Sequence, residues 1–266
     1  MNVETLYPCP CCGYISLNQK PPGTYLICPI CFWEDSTTDE YDPLSWSSNK
    51  VSLPQAQRNF IAFGACEPEW IHDVRKPNAS DKRPSSWQTL DSIAEAAKLE
   101  LIKQITSAFD GVTREDGISL HEAVVIDDYG SDEQRAIARQ KDNELRWQDV
   151  PDKWIEQFDS PLCFLDPKGW RYYIPAYMIW SLKHFMNSDS NHNSIDSTIY
   201  TFKFSPDPGD YYWSRFEILN QEQSKAVCQF LRFMTTHHEG YVNDSWPQEA
   251  LKNYWGKFCN SMPSCT

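Results

Sequence analysis

Five cysteines fall within the first 35 residues, as Cys9-Pro10-Cys11-Cys12-Gly13 and Cys28-Pro29-Ile30-Cys31-Phe32-Trp33-Glu34-Asp35. Taken as Cys9 with Cys12 and Cys28 with Cys31, they form two Cys-x2-Cys pairs separated by fifteen residues. A tetrahedral metal with metal–sulfur bonds of about 2.3 Å needs its sulfurs roughly 3.8 Å apart, and two tight turns of this kind can present four sulfurs at that separation. The chemistry that fits is structural Zn2+ held by Cys9, Cys12, Cys28 and Cys31. Two disulfides are the alternative, but they require an oxidising compartment that nothing else in the sequence supports. In each turn the residue after the second cysteine often takes a left-handed backbone. Gly13 suits that conformation. Phe32 does not, so the second turn must either be built differently or carry strain. Cys11 is left over, and it reads as a half-buried thiol beside the site, with ligand exchange or redox sensitivity as the sharper alternative.

A second group of residues could do chemistry in the middle of the chain. His121, Glu122, Asp127 and Asp128 lie on one expected helix, and Asp132 and Glu133 open the next. Glu122 near a helix start is explained by the helix dipole, whereas Asp127 and Asp128 near a helix end oppose it. Those two therefore want another role: a cap, a partner's Lys or Arg, or a divalent ion shared with His121. The surface expected to meet a partner comprises Glu122, Asp127, Asp128, Asp132 and Glu133. His184 with His192, and His237-His238-Glu239, lack zinc-ligand spacing and read as surface or packing residues. Asp166 reads as a turn residue, Arg171 as a salt-bridge anchor, and Cys163, Cys228 and Cys259 as packed thiols. No glycine-rich phosphate loop, Gly-x-Ser-x-Gly elbow or His-Glu-x-x-His motif occurs.

Charge narrows the partners. The formal net charge is −13, and residues 86–150 carry 7 Lys and Arg against 14 Asp and Glu. Phosphate binding needs a basic face that neither the cysteine-rich segment nor its neighbours supplies, so nucleic acid is disfavoured. A basic protein is the complementary partner. No run of 18 apolar residues predicts a membrane span. Met1-Asn2-Val3-Glu4 lacks the charged and apolar regions of a secretory signal. With ten cysteines, four of them in a metal pattern, the expected location is the cytoplasm.

The elements that must position these residues are legible in part. Tyr14–Leu17 and Thr24–Ile27 read as short strands joined by Lys20-Pro21-Pro22-Gly23, which together with the two turns makes a zinc ribbon. Ser52 opens a helix with Pro54 in its first turn and Gln55 able to complete a capping box, and Gly64 closes it. Its Ala56, Phe60 and Phe63 are expected to cover the ribbon. Lys76 to Ser86 is polar and proline-containing, a linker by composition. Apolar residues at 87, 90, 93, 94, 97, 101, 105 and 108 predict a long amphipathic helix capped by Ser85 or Ser86. Helices are expected from Ser119 and Ser131, each with its box partner, Glu122 or Gln134. Leu162–Leu165 and Trp170–Tyr173 around Asp166-Pro167-Lys168-Gly169 read as a hairpin. Ile174–Phe185 reads as a helix, 186–197 as a loop, Thr198–Phe204 as a strand, and helices follow from Asn220 and Ser245. The predicted fold class is α+β: a small zinc ribbon followed by a larger, mainly helical domain with a short antiparallel sheet. Its divisions are a cysteine-rich domain at 1–77, a linker at 78–86 and a helix-rich domain at 87–266.

Several blocks in order, Cys-Pro-Cys-Cys-Gly, Cys-Pro-Ile-Cys-Phe-Trp-Glu-Asp, Ser-Leu-Pro-Gln-Ala-Gln-Arg-Asn-Phe and Phe-Gly-Ala-Cys-Glu-Pro, resemble the cysteine-rich CPCC family over about residues 6–77. The resemblance implies the zinc site and the small fold, with no activity attached. Ile118 to Ala123, Asp127 to Gly130 and Phe164 to Met178 resemble a second, uncharacterised bacterial domain family over about residues 87–205. The function expected from all of this is a non-enzymatic binding protein. The role that fits is an immunity protein neutralising a toxin domain by direct contact. An enzyme using Asp127 and Asp128 with a divalent ion, or a zinc-ribbon adaptor, are the alternatives.

Overall fold

A computed structural model describes residues 5–36, 48–158, 161–185, 192–203, 213–236 and 245–259. The chain divides into two compact units, residues 1–97 and 98–266. The segment read as a linker, 78–86, falls within the first unit, and the division itself falls inside a helix. Met1–Glu4, half of the expected 186–197 loop (186–191), His237, His238, Glu239 and Cys265 lie outside the described residues, and the other half of that loop, 192–197, is helix instead.

In the first unit, β1 (Tyr7–Pro8) pairs antiparallel with β2 (Ile15–Leu17). The expected partner of β2 was Thr24–Ile27, which instead bridges through Ile27 to Glu34. The reason is local. Each Cys-x2-Cys turn reverses the chain, so each flank pairs with the opposite flank of its own turn. Helix α1 (Leu53–Phe63) is capped by the Ser52 side chain and closed by Gly64 at φ +89, as the sequence predicts. Gln55 does not complete a capping box with its side chain, which donates to Asn59 Oδ1 instead. Leu53 and Ala56 are buried and Phe60 packs against the ribbon core, while Phe63 is exposed.

The long helix α2 spans Leu90–Ala108, and Thr89, rather than Ser85 or Ser86, accepts from a first-turn N–H. In the second unit follow α3 (Leu120–Asp127), at whose start Glu122 accepts from the Ser119 N–H, and α4 (Asp132–Arg139), capped by the Ser131 side chain with both halves of its capping box made. After α5 (Asp152–Gln157) comes α6 (Pro167–His184), the centre of the larger core. The remaining helices are α7 (His192–Tyr200), α8 (Trp213–Glu217), α9 (Gln221–Thr236) and α10 (Ser245–Ala250), then a π-helical turn (Leu251–Trp255) and α11 (Gly256–Cys259).

Two strand expectations in this unit are corrected. The expected hairpin around residues 166–169 is the start of α6. Asp166 is its N-cap, accepting from Gly169 N–H, and Pro167 occupies the first turn, where its missing N–H costs nothing. Trp170, Tyr173, Ile174, Tyr177, Met178 and Trp180 are all buried, so the helix is apolar on every side and its aromatic run imitates a strand. Thr198–Tyr200, expected as strand, belongs to α7, where Thr198 bonds back to the Ser194 carbonyl. The two-stranded sheet of the described residues lies in the ribbon, and the larger unit is helical.

Asp166 also ties two segments together. Its Oδ1 accepts from Ile118 N–H at 2.7 Å, and a Cβ on Gly169 would sit 2.2 Å from the Ile118 carbonyl oxygen. Gly169 is therefore what lets this backbone approach, just before α3 begins.

Candidate metal centre

The two cysteine turns are built alike. Gly13 N–H donates to the Cys9 carbonyl and Phe32 N–H to that of Cys28. Cys9 N–H donates to Tyr14 O, and Cys28 N–H to Trp33 O. Both residues after the second cysteine are left-handed, Gly13 at φ +73 and Phe32 at φ +67. The second turn therefore accepts strain rather than adopting another geometry. A left-handed non-glycine residue costs about 1–2 kcal/mol. Here the Phe32 ring stacks on Trp70 at 4.1 Å between centroids.

The turns bring Cys9, Cys12, Cys28 and Cys31 together with all four sulfurs within 4.8 Å of one another and every residue fully buried. Cys9 Sγ lies 3.6 Å from Cys31 Sγ, and Cys12 Sγ lies 3.7 Å from Cys28 Sγ. Those separations match the roughly 3.8 Å edge of a tetrahedral zinc–sulfur site. Without a cation the four sulfurs cannot all ionise together. Hydrogen bonds from Cys12, then Cys31 and Cys9, hold Cys28 far below the ordinary thiol range. Burial pushes Cys9 and Cys31 well above it. Four thiolates in one dry cage need a cation, and Zn2+ supplies it. Ser16 Oγ, 3.2 Å from Cys28 Sγ, adds a hydroxyl to this sulfur's surroundings. This is a structural zinc site, closed on all sides by protein. Cys11 and Cys66 are also fully buried free thiols, and burial raises both above the usual thiol value.

A strap drawn from residues 82–91 closes the first turn. Lys82 O accepts from Ile15 N–H, and the Arg83 guanidinium lies 4.5 Å from the Tyr14 ring and 4.6 Å from that of Trp87. Trp87 lies so close to Gly13 that a Cβ there would come within 2.4 Å of the indole. Gln57, buried on α1, donates to Pro10 O and accepts from Leu90 N–H, joining the cysteine turn to the start of α2. Arg58 completes the attachment with a two-point pair to Asp91.

The acidic residues singled out in the sequence fall in different settings. Glu122 is buried and meets Arg135 at 3.0 Å and Arg139 at 2.8 Å, while accepting from Ser119 N–H. Asp127 ends α3 half-buried, Asp128 is its exposed C-cap, Asp132 is almost fully exposed beside Arg135, and Glu133 accepts from Ser131 Oγ. His121 does not pair with Asp128. Its Nδ1 lies 2.7 Å from Asp142 Oδ1, and Asp142 Oδ2 accepts the His121 backbone N–H, so the buried carboxylate caps α3 from outside the helix. Arg171 forms no ion pair among the described residues. Arg114, half-buried in this unit, donates to Glu144, Tyr173 and the Asp142 carbonyl. Sequence reasoning missed this cluster because its members are spread over 59 positions with no repeating interval. Arg215, also missed, is fully buried and donates to the Cys163 and Leu165 carbonyls. Cys228 and Cys259, expected as packed thiols, are joined as a disulfide, while Cys163 is free.

Residues 97–259, more than half of the chain, match the family of unknown function DUF6714. The chain belongs to that family. Residues 7–81 match the cysteine-rich CPCC family, so a CPCC segment carrying the zinc cage precedes the DUF6714 domain. The DUF6714 match runs well past residue 205, where the resemblance was expected to end, and takes in α9 and α11. No curated protein and no solved structure matches the chain. Among the described residues, no helix is long and apolar enough to cross a membrane.

Proposed function

We propose that this is a non-enzymatic binding protein in which the zinc ribbon is structural and the turn between α3 and α4 docks on a basic protein. The finer role we infer is immunity in the cytoplasm, the partner being a toxin domain whose surface is covered. The four buried thiols argue for a compartment that keeps cysteine reduced.

The observation that carries the reading is Tyr129. Helix α3 ends in a Schellman arrangement, with Gly130 N–H donating to Val125 O and Tyr129 N–H to Ile126 O. The left-handed position of such an ending normally holds glycine, yet Tyr129 stands there at φ +56 with its side chain 98% exposed. The backbone strain is not offset by any burial of the ring. Tyrosine is favoured at the centres of protein interfaces because a rigid ring buries much area at little entropic cost. Exposed Asp128, Asp132 and Glu133 lie beside it in sequence and would steer a basic surface toward it.

The test uses the full zinc-loaded chain as bait in an extract of the native host, at low and high salt, beside Tyr129→Gly and Asp128→Lys. The expected result is a basic protein retained at one-to-one stoichiometry, released by salt and lost with both variants. Equal retention by the variants would remove the α3–α4 turn from the reading. Neutralisation of the partner at far below one equivalent would mean turnover, and would overturn the non-enzymatic reading.

A further inference from the structure

Cys228 on α9 and Cys259 on α11 are 31 residues apart and paired, with their Cα atoms 5.6 Å apart. Cysteines 9, 11, 12, 28, 31, 66 and 163 are free thiols. One chain therefore holds sulfur in two states: a thiolate cage that requires reduced cysteine, and an oxidised pair. A permanent disulfide would suit an oxidising compartment, where the cage would be at risk. A reversible one is compatible with both.

The position of the pair says what it would control. Helix α11 has four residues, too few to persist without tertiary support. The turn before it is anchored independently. Trp255 is fully buried and its indole N–H donates to Phe202 O at 2.8 Å, while Tyr254 stacks on Phe216. Past Trp255, Phe258 is only half-buried and Lys257 is exposed over the Tyr254 ring. Cys259 is thus the covalent tie at the far end of α11. It is half-buried, whereas Cys228 is fully buried in the core face of α9.

We propose that Cys228–Cys259 is a reversible latch that docks α11 on α9 when oxidised and frees it when reduced, while the zinc cage stays intact. The co-reactant is a low-molecular-weight disulfide. The more accessible Cys259 thiolate attacks it, forming a mixed disulfide and expelling one thiolate. Cys228, deprotonated in turn, displaces the second, so that a protein dithiol and one small disulfide become a protein disulfide and two small thiols. The order follows from access, since a fully buried thiol cannot meet the reagent first.

The experiment equilibrates the full zinc-loaded chain in monothiol–disulfide buffers of rising oxidant fraction, then quenches, maps cysteine peptides and measures zinc. The expected result is a linked peptide joining Cys228 to Cys259 that appears at full zinc occupancy and disappears again when reductant is restored. Amide exchange over residues 256–259 should be at least tenfold faster in the reduced form, with α6 unchanged. Cys259→Ser should abolish the linked peptide and reproduce the fast exchange without oxidant control. If that variant misfolds, chemical reduction of the wild type still reads the same exchange. Linkage that appears only after zinc is lost, or exchange that is equal in the two forms, overturns the proposal.

Discussion

The Phe32 ring lies 4.1 Å from the Trp70 ring, with the planes 16° apart, and it reaches that position from a left-handed backbone. The pairing explains how a phenylalanine stands where the first cysteine turn uses Gly13. Backbone strain of about 1–2 kcal/mol is set against a stacked pair worth about 0.5–1.5 kcal/mol beyond its buried area. Trp70→Ala should therefore leave the strain uncompensated and lower ribbon stability by about 2 kcal/mol. Adding Phe32→Gly to Trp70→Ala should recover part of that loss. Zinc release to a competing chelator, followed over time, reads both; an unchanged release rate in Trp70→Ala would contradict this account of the second turn.

Gly13 is constrained twice, by φ +73 and by the Trp87 ring against its Cα. Gly13→Ala should speed zinc release more than strain alone predicts. Combining it with Trp87→Ala should give back the steric share and leave the share due to φ. Simple additivity of the two substitutions would mean that the ring and the turn are not in contact.

The cysteine spacing, the capped starts of α1, α3 and α4, and the predominance of helix could all be read in the sequence because each depends on residues within a few positions of one another. What could not be read depends on neighbours brought from afar. The start of α6 looked like a hairpin because a helix buried on all sides has no polar face, and Asp-Pro begins turns and helices alike. The partner of His121 was misplaced because Asp142 lies 21 residues away, whereas Asp128 lay within two turns. The strap over the first cysteine turn has a linker's composition, and only its contacts through Arg83, Trp87 and Leu90 reveal its attachment.

Glu122 supplies a pH dependence with a definite sign. Burial alone would raise its pKa, but hydrogen bonds from Arg139, Ser119 N–H and Arg135 outweigh that and leave it lowered. A carboxyl depressed in the folded state contributes stability above its unfolded value of about 4.3, and that contribution disappears as pH falls through the folded value. Glu122→Gln should cost about 2 kcal/mol at neutral pH and flatten the loss of stability on acidification below about pH 4.3. Denaturant titrations of both proteins across that range check it. An unchanged acid limb would mean that the pairs with Arg135 and Arg139 do not form.

Tyr129→Gly should do the opposite at neutral pH. Removing a left-handed side chain that buries nothing should stabilise the second unit by about 1 kcal/mol. If melting shows a loss instead, the ring has a structural use and the argument for a docking role falls with it.

Zinc content tests the metal centre most directly. Metal analysis of the purified wild-type chain, Cys28→Ser and Cys11→Ser should find one zinc per chain in the wild type, none in Cys28→Ser and full occupancy in Cys11→Ser. Loss in both variants, or in neither, would contradict a cage made of Cys9, Cys12, Cys28 and Cys31.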